Sequence, residues 1–278
     1  MSQKINPIKD KDMSKGVIIS VANHKGGIGK STTTINLGHA LTLKDKRVLI
    51  IDMDLQSNTT STLLAKTRKK YSLFDLLSTE SSNISVEACI YGTTLKDLYI
   101  IPNVRESARI EYELIKMPFS KSSQVLRKQI RDYAIKNFDF TLIDCPPNLG
   151  VFVINSLTAS DFCIVPNETG SRYSIEGLNE AVSFIEDIRD NSNSDLKFLK
   201  VLLTKVDKRK IVHKATVSQI DNFYPKDKVF KTIIPVNTDF QKAEMKSKTA
   251  ISFRSNSLGA MAYRNLANEL INVLKNGE

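Results

Sequence analysis

Residues 17–32 read V-I-I-S-V-A-N-H-K-G-G-I-G-K-S-T. Residues 17–23 are short, apolar and β-branched, which predicts a buried parallel strand. A glycine-rich turn ending in Lys-Ser-Thr follows, and residues 31–43 continue with helical character. Strand, glycine-rich loop and helix in that order are the context of a phosphate-binding loop. Glycines let the backbone turn so that its N–H groups converge on phosphate oxygens, and the helix N-terminus adds partial positive charge. On these grounds Gly26, Gly27, Ile28, Gly29 and Thr32 belong to the phosphate cradle, Lys30 neutralises the β and γ phosphates of a triphosphate, and the Ser31 hydroxyl ligates Mg²⁺. The general pattern G-x-x-x-x-G-K-[ST] has a glycine where this chain has His24. A chance K-G-G-x-G-K-[ST] in a chain of this length has odds on the order of 10⁻⁴.

Lys25 stands five residues before Lys30. Two ammonium groups crowding one phosphate from the same side would repel each other. Lys25 is therefore placed to reach the nucleotide of a facing subunit, where it would stabilise transition-state charge as an arginine finger does.

Outward from the loop, residues 47–52, 140–144, 162–166 and 198–203 repeat the short apolar strand pattern, and residues 122–137, 175–189 and 211–223 read as helices between them. Strands alternating with helices predict an α/β fold: a doubly wound, mainly parallel sheet with helices on both faces, of the P-loop NTPase type. Residues 258–274 carry apolar side chains near helical spacing and are expected to pack on the sheet rather than to anchor in a membrane. Residues 1–15, with four Lys against two Asp, read as a flexible arm, and residues 16–278 as a single ATPase domain. Residues 66–70 and 78–85 read as surface loops.

Nucleotide and metal sites in open α/β sheets lie outside the carboxyl ends of strands. Residues 52–56 (D-M-D-L-Q) and 144–147 (D-C-P-P) put acids there. Asp144 is placed to hold a Mg²⁺-bound water, Asp52 to orient another metal water, and Asp54 to position the attacking water. The alternative for Asp52 or Asp54 is an N-cap on the segment 57–64. Cys145 reads as a small buried residue, and His24, His39 and His213 show no metal spacing.

The chain has 278 residues, 41% of them hydrophobic, enough for one large α/β domain or two small ones. Its apolar runs fall far short of the ~20 residues that cross a bilayer, and residues 1–15 lack the apolar core of a signal peptide, so a soluble cytoplasmic protein is expected. Three scattered cysteines make neither a disulfide framework nor a C-x-x-C site. Lys and Arg exceed Asp and Glu by 40 − 30, a net +10, which suits a polyanionic partner. Between residues 205 and 254 twelve basic residues face five acids. Such runs are commonly solvated faces; here a duplex-binding surface is the competing expectation.

These motifs resemble those of the ParA/MinD group of deviant Walker-type ATPases, and within it the ParA (Soj-like) DNA-partition proteins. The resemblance runs over most of the chain and rests on K-G-G-I-G-K-S-T at 25–32, D-M-D-L-Q-S-N at 52–58 and L-I-D-C-P-P-N-L-G at 142–150, with support from L-L-T-K-V-D at 202–207 and T-I-I-P-V-N at 232–237. It implies that Lys25 is the signature lysine crossing a homodimer, Gly26 the glycine permitting close subunit approach, Asp54 the hydrolytic aspartate and Asp144 the Walker B residue. It further implies ATP and Mg²⁺ as cofactors, a base-contacting segment at Pro235 and Val236, a bacterial nucleoid location without a membrane, and a ParB-like centromere-binding partner. Non-specific double-stranded DNA would bind through Arg209, with Lys208, Lys210, Lys242 and Lys246 as further candidates. The chain departs from the family pattern at Leu55, where proline is common, and at Val236, where an arginine is common.

Overall fold

The computed structural model describes residues 15–64, 69–78, 84–169, 174–207 and 209–276. Most of the N-terminal arm, residues 66–68 and 79–83 of the expected loops, and Lys208 lie outside the described residues. The strands are β1 (Val17–Val21), β2 (Val48–Asp52), β3 (Tyr91–Gly92), β4 (Leu98–Ile101), β5 (Phe140–Asp144), β6 (Phe162–Glu168) and β7 (Lys197–Thr204). They form one sheet in the order β3-β4-β2-β5-β1-β6-β7. Every neighbouring pair is parallel except β3 with β4. The helices are α1 (Lys30–Thr42), α2 (Asn58–Leu63), α3 (Leu73–Leu77), α4 (Ser107–Lys116), α5 (Phe119–Ser122), α6 (Val125–Asn137), α7 (Val151–Ala159), α8 (Ser174–Asn191), α9 (Ile211–Phe223), α10 (Thr238–Met245), α11 (Ala250–Phe253) and α12 (Leu258–Lys275).

Strand side chains alternate between the two faces, as a pleated strand requires. Ile18, Leu49, Ile51 and Ile143 pack with residues of α3, α4, α6, α7 and α8, while Ile19, Val48, Ile50 and Leu142 pack with α1, α11 and α12. With both faces covered, the strands read as continuous apolar runs, which is why they were legible. The amphipathic segment at 258–274 is α12, whose Leu266, Leu270 and Val273 are buried in the second of these layers. No described helix is long and apolar enough to cross a membrane.

One expected helix starts later than its pattern implies. Of the stretch 122–137, Ser122 ends the preceding α5 and α6 begins at Val125, and the cause is a side chain. In a continuous helix the Leu126 N–H would donate to the Ser122 carbonyl. Instead Asn155 of α7 takes both groups: Leu126 N–H donates to Asn155 Oδ1 at 3.1 Å, and Asn155 Nδ2 donates to Ser122 O at 2.7 Å.

Topology brings the phosphate loop to the middle of the sheet. β1 lies between β5 and β6, and the register pairs Val21 with Asp144 and Asp144 with Asp52. The loop after β1 therefore emerges beside both acidic strand ends.

Candidate active site

Asn23 fixes the start of the loop. Its Nδ2 donates to Pro166 O of β6 at 2.9 Å, and its Oδ1 accepts from the Lys25 N–H at 3.1 Å. The loop then turns through Gly27 (φ 75°) and Gly29 (φ 94°), left-handed conformations that a side chain resists. Gly26 is different: it is exposed, and a Cβ there would meet only Pro147 Cβ, at an unstrained 3.8 Å. Lys30, the first residue of α1, is buried, and its Nζ donates to Lys25 O at 2.8 Å. Burial lowers its pKa, while Asp144, Cys145 and Asp54 act the other way. Lys25 is half-buried, and its neighbours Gly26 and Gly27 are exposed.

The three acids differ in their surroundings. Asp52 is wholly buried and clasps the chain that follows β2: Thr60 N–H and Thr60 Oγ1 donate to its Oδ2 at 2.8 and 2.6 Å, and the Asp54 N–H to its Oδ1 at 3.1 Å. Burial raises its pKa, the nearby Asp144 adds to the rise, and these hydrogen bonds oppose it. Asp144, equally buried, accepts from Thr59 Oγ1 at 2.6 Å and from the Ser31 hydroxyl. Its pKa is also raised by burial, against those hydrogen bonds. Asp54 reaches the cavity wall, with its Oδ1 accepting from the Gln56 N–H at 2.9 Å.

A cavity of about 590 Å³ opens over the loop, lined by residues 27–32, Asp54, Thr204, Lys205, residues 234–238, Gln241 and Tyr263 among others. Gly27, Ile28, Gly29, Lys30, Ser31 and Thr32 thus share one cavity with Pro235 and Val236. The parallel bridge between Val206 and Pro235 brings the latter segment in, closed by Val206 N–H to Ile234 O at 3.0 Å and Val236 N–H to Val206 O at 3.1 Å. Sequence reasoning missed Thr204, whose hydroxyl donates to Ile28 O at 2.8 Å and joins β7 to the loop, and Lys205, which pairs with Glu168 at 3.5 Å. The segment L-L-T-K-V-D pointed to that strand end without assigning a role. Asn237, in the T-I-I-P-V-N segment but given no role there, lines the same cavity with Gln241 and Tyr263, which carried no local signal.

The described basic candidates fall on two elements. Arg209 is exposed and forks onto Asp207, with both contacts at 3.0 Å, and Lys210 is exposed at the start of α9. The hydrogen bonds from Arg209 hold the Asp207 carboxyl at about 2. Lys242 and Lys246 are exposed one turn apart along α10 and its cap, where Lys246 Nζ lies 5.4 Å from the centre of the Phe253 ring.

A loop that needs two left-handed glycines to carry a buried lysine over a cavity, at the end of an interior strand of a mainly parallel sheet, defines a P-loop NTPase. Comparison with known proteins narrows the class. A family model described as an AAA domain matches residues 16–198. Over 256 residues the chain is 36% identical to the sporulation initiation inhibitor protein Soj of Bacillus subtilis, covering 92% of this chain and 98% of that one. It is 33% identical to the chromosome partitioning protein ParA of Caulobacter vibrioides, covering 91% and 93%. Among solved structures, cobyrinic acid a,c-diamide synthase of Mycobacterium smegmatis, with bound ATP analog and magnesium, superposes with a TM-score of 0.80 at 29% identity, covering 95% and 97%. The chain belongs to the ParA/Soj family of partition ATPases.

Proposed function

We propose that this chain hydrolyses Mg-bound ATP, pairs with a second copy in the ATP state across Lys25, and in that state binds double-stranded DNA without sequence preference. With a ParB-like centromere-binding partner it would position plasmid or chromosomal DNA on the nucleoid. The observation that carries this is the pair of lysines. Lys30 is buried against its own cavity, whereas Lys25 sits beside an exposed Gly26 for which nothing in its own chain requires a glycine. An exposed glycine that no internal contact requires suits the close approach of another molecule.

The Lys30 ammonium is held by the loop's own carbonyl, that of Lys25. A triphosphate offers it an anionic partner and relieves the cost of its burial. Ser31 lines the cavity and Asp144 lies buried directly behind it, accepting its hydroxyl, so the pair offers hard oxygen donors that suit Mg²⁺, with Asp52 beside Asp144 on the next strand. Among the described residues no cluster of three acidic, histidine or cysteine side chains would hold a metal unaided, so phosphate oxygens are needed to complete the ligand set. When bound, Mg²⁺ supplies charge neutralisation at the phosphates. Asp54, on the wall beside Lys30, orients the attacking water, and Lys25 of the facing copy stabilises charge as it develops. No histidine lines the cavity to act as a strong general base, so unaided turnover is slow. Release of the γ phosphate breaks the contacts that hold the pair and frees the DNA.

The test is the migration of a random duplex with ADP, with ATP and with a non-hydrolysable analogue. Retardation with the two triphosphates and not with ADP is expected. Equal retardation in all three states, or none in any, rejects the nucleotide-gated DNA reading.

A further inference from the structure

The first position of the phosphate loop, where the general pattern has glycine, holds His24, and the structure gives it a seat. His24 Nε2 lies 3.3 Å from Glu180 Oε2 of α8. One turn earlier in α8 is Gly177, where a Cβ would stand 3.3 Å from His24 Cε1 and 3.4 Å from its Nε2, the only atoms within 4 Å beyond its chain neighbours and the local helix backbone among the described residues. A glycine inside a helix sacrifices helix propensity. At Gly177 the contact that a larger residue would disturb is the one with this ring.

His24 immediately precedes Lys25, and both residues ahead of that lysine are tied to neighbouring elements. Asn23 is bonded to β6 through Pro166 O and holds the Lys25 N–H, while His24 rests on α8. We propose that His24, seated on Gly177 and Glu180, is a positioning residue that fixes the direction in which Lys25 leaves the loop. This rests on the proposed role of Lys25 across the dimer. A lysine that acts on another subunit's nucleotide has to be aimed by its own protomer, because a misplacement of about 1 Å at a reacting centre costs on the order of 10²-fold. A glutamine at position 24 keeps a polar group facing Glu180, whereas alanine removes both the polar group and the ring.

The experiment measures kcat at saturating ATP, affinity for a fluorescent ATP analogue and melting temperature for wild type, Lys25→Ala, His24→Ala, His24→Gln and Gly177→Ala. Lys25→Ala is expected to lower kcat about tenfold or more, and His24→Ala about three- to tenfold, each with nucleotide affinity within about twofold of wild type. His24→Gln restores most of the loss. Gly177→Ala lowers kcat while its melting temperature holds or rises, a split that a purely structural contact would not produce. If Lys25→Ala turns over like wild type, the dimer reading itself fails. If Lys25→Ala is impaired and His24→Ala is not, the positioning role alone is overturned. It is overturned equally if His24→Ala loses nucleotide affinity and melting temperature in parallel, or if His24→Gln behaves like His24→Ala.

Discussion

His39 shows how one side chain ties stability to pH. It is buried in α1, with Nδ1 2.7 Å from Thr249 Oγ1, and burial lowers its pKa to about 4. As pH falls below the ordinary histidine value of about 6.5, the unfolded chain takes up a proton that the folded chain refuses until about pH 4. The stabilisation is therefore complete above that window and is lost as pH drops through it, by on the order of 2 kcal/mol. Urea unfolding at about pH 7 and about pH 5 is expected to show this loss in wild type and a smaller loss in His39→Asn, which keeps an amide near the Nδ1 position. Identical losses in the two proteins would remove His39 as the cause. Sequence reading reached His39 only as a histidine without metal spacing, because its burial and its partner come from α11, 210 positions further along the chain. The expectations for Lys25 and Lys30 had the opposite origin: they came from a spacing of five residues within one loop. Thr204 was not, since its bond to Ile28 O spans 176 positions.

Elements were legible in proportion to how locally their burial was encoded. β1, β2, β5, β6 and β7 are apolar runs covered on both faces, and α9 runs over the residues that its pattern predicts. β3 has two residues and β4 four, too short for periodicity to register. α7 (V-F-V-I-N-S-L-T-A) is buried nearly all round, so no polar face marked it as a helix. The division between α5 and α6 was invisible because Asn155, which causes it, belongs to α7. Asn155 is wholly buried and also donates to Val151 O at 2.9 Å, so three backbone groups depend on one amide. Asn155→Ala is expected to cost about 2–4 kcal/mol, read as a lower urea midpoint, since the orphaned groups have no access to water. A change below about 0.5 kcal/mol would mean that Ser122 O and Leu126 N–H pair with each other and that α5 and α6 fuse, which a rise in far-ultraviolet helicity would reveal.

For the molecule as a whole, net charge was readable and its placement was not. The surplus of seven basic residues between positions 205 and 254 is a property of composition. The structure divides the described candidates between the turn after β7, with Arg209 and Lys210, and the face of α10, with Lys242 and Lys246. Arg209 keeps its charge engaged with Asp207, whose carboxyl, at about 2, stays ionised at any working pH. The guanidinium is therefore oriented before it meets a ligand, and it is exposed on the side away from the fork. If an ATP-bound dimer neutralises ~6 phosphates, log K falls by about 5 per tenfold rise in salt. Arg209→Ala removes one contact from each copy and should reduce that slope by about 2, while ATP affinity stays within about twofold because Arg209 lies outside the nucleotide cavity. Fluorescence anisotropy of a labelled random duplex over a range of potassium chloride measures both. An unaltered slope would place Arg209 off the DNA and leave α10, with Lys242 and Lys246, as the surface to alter next.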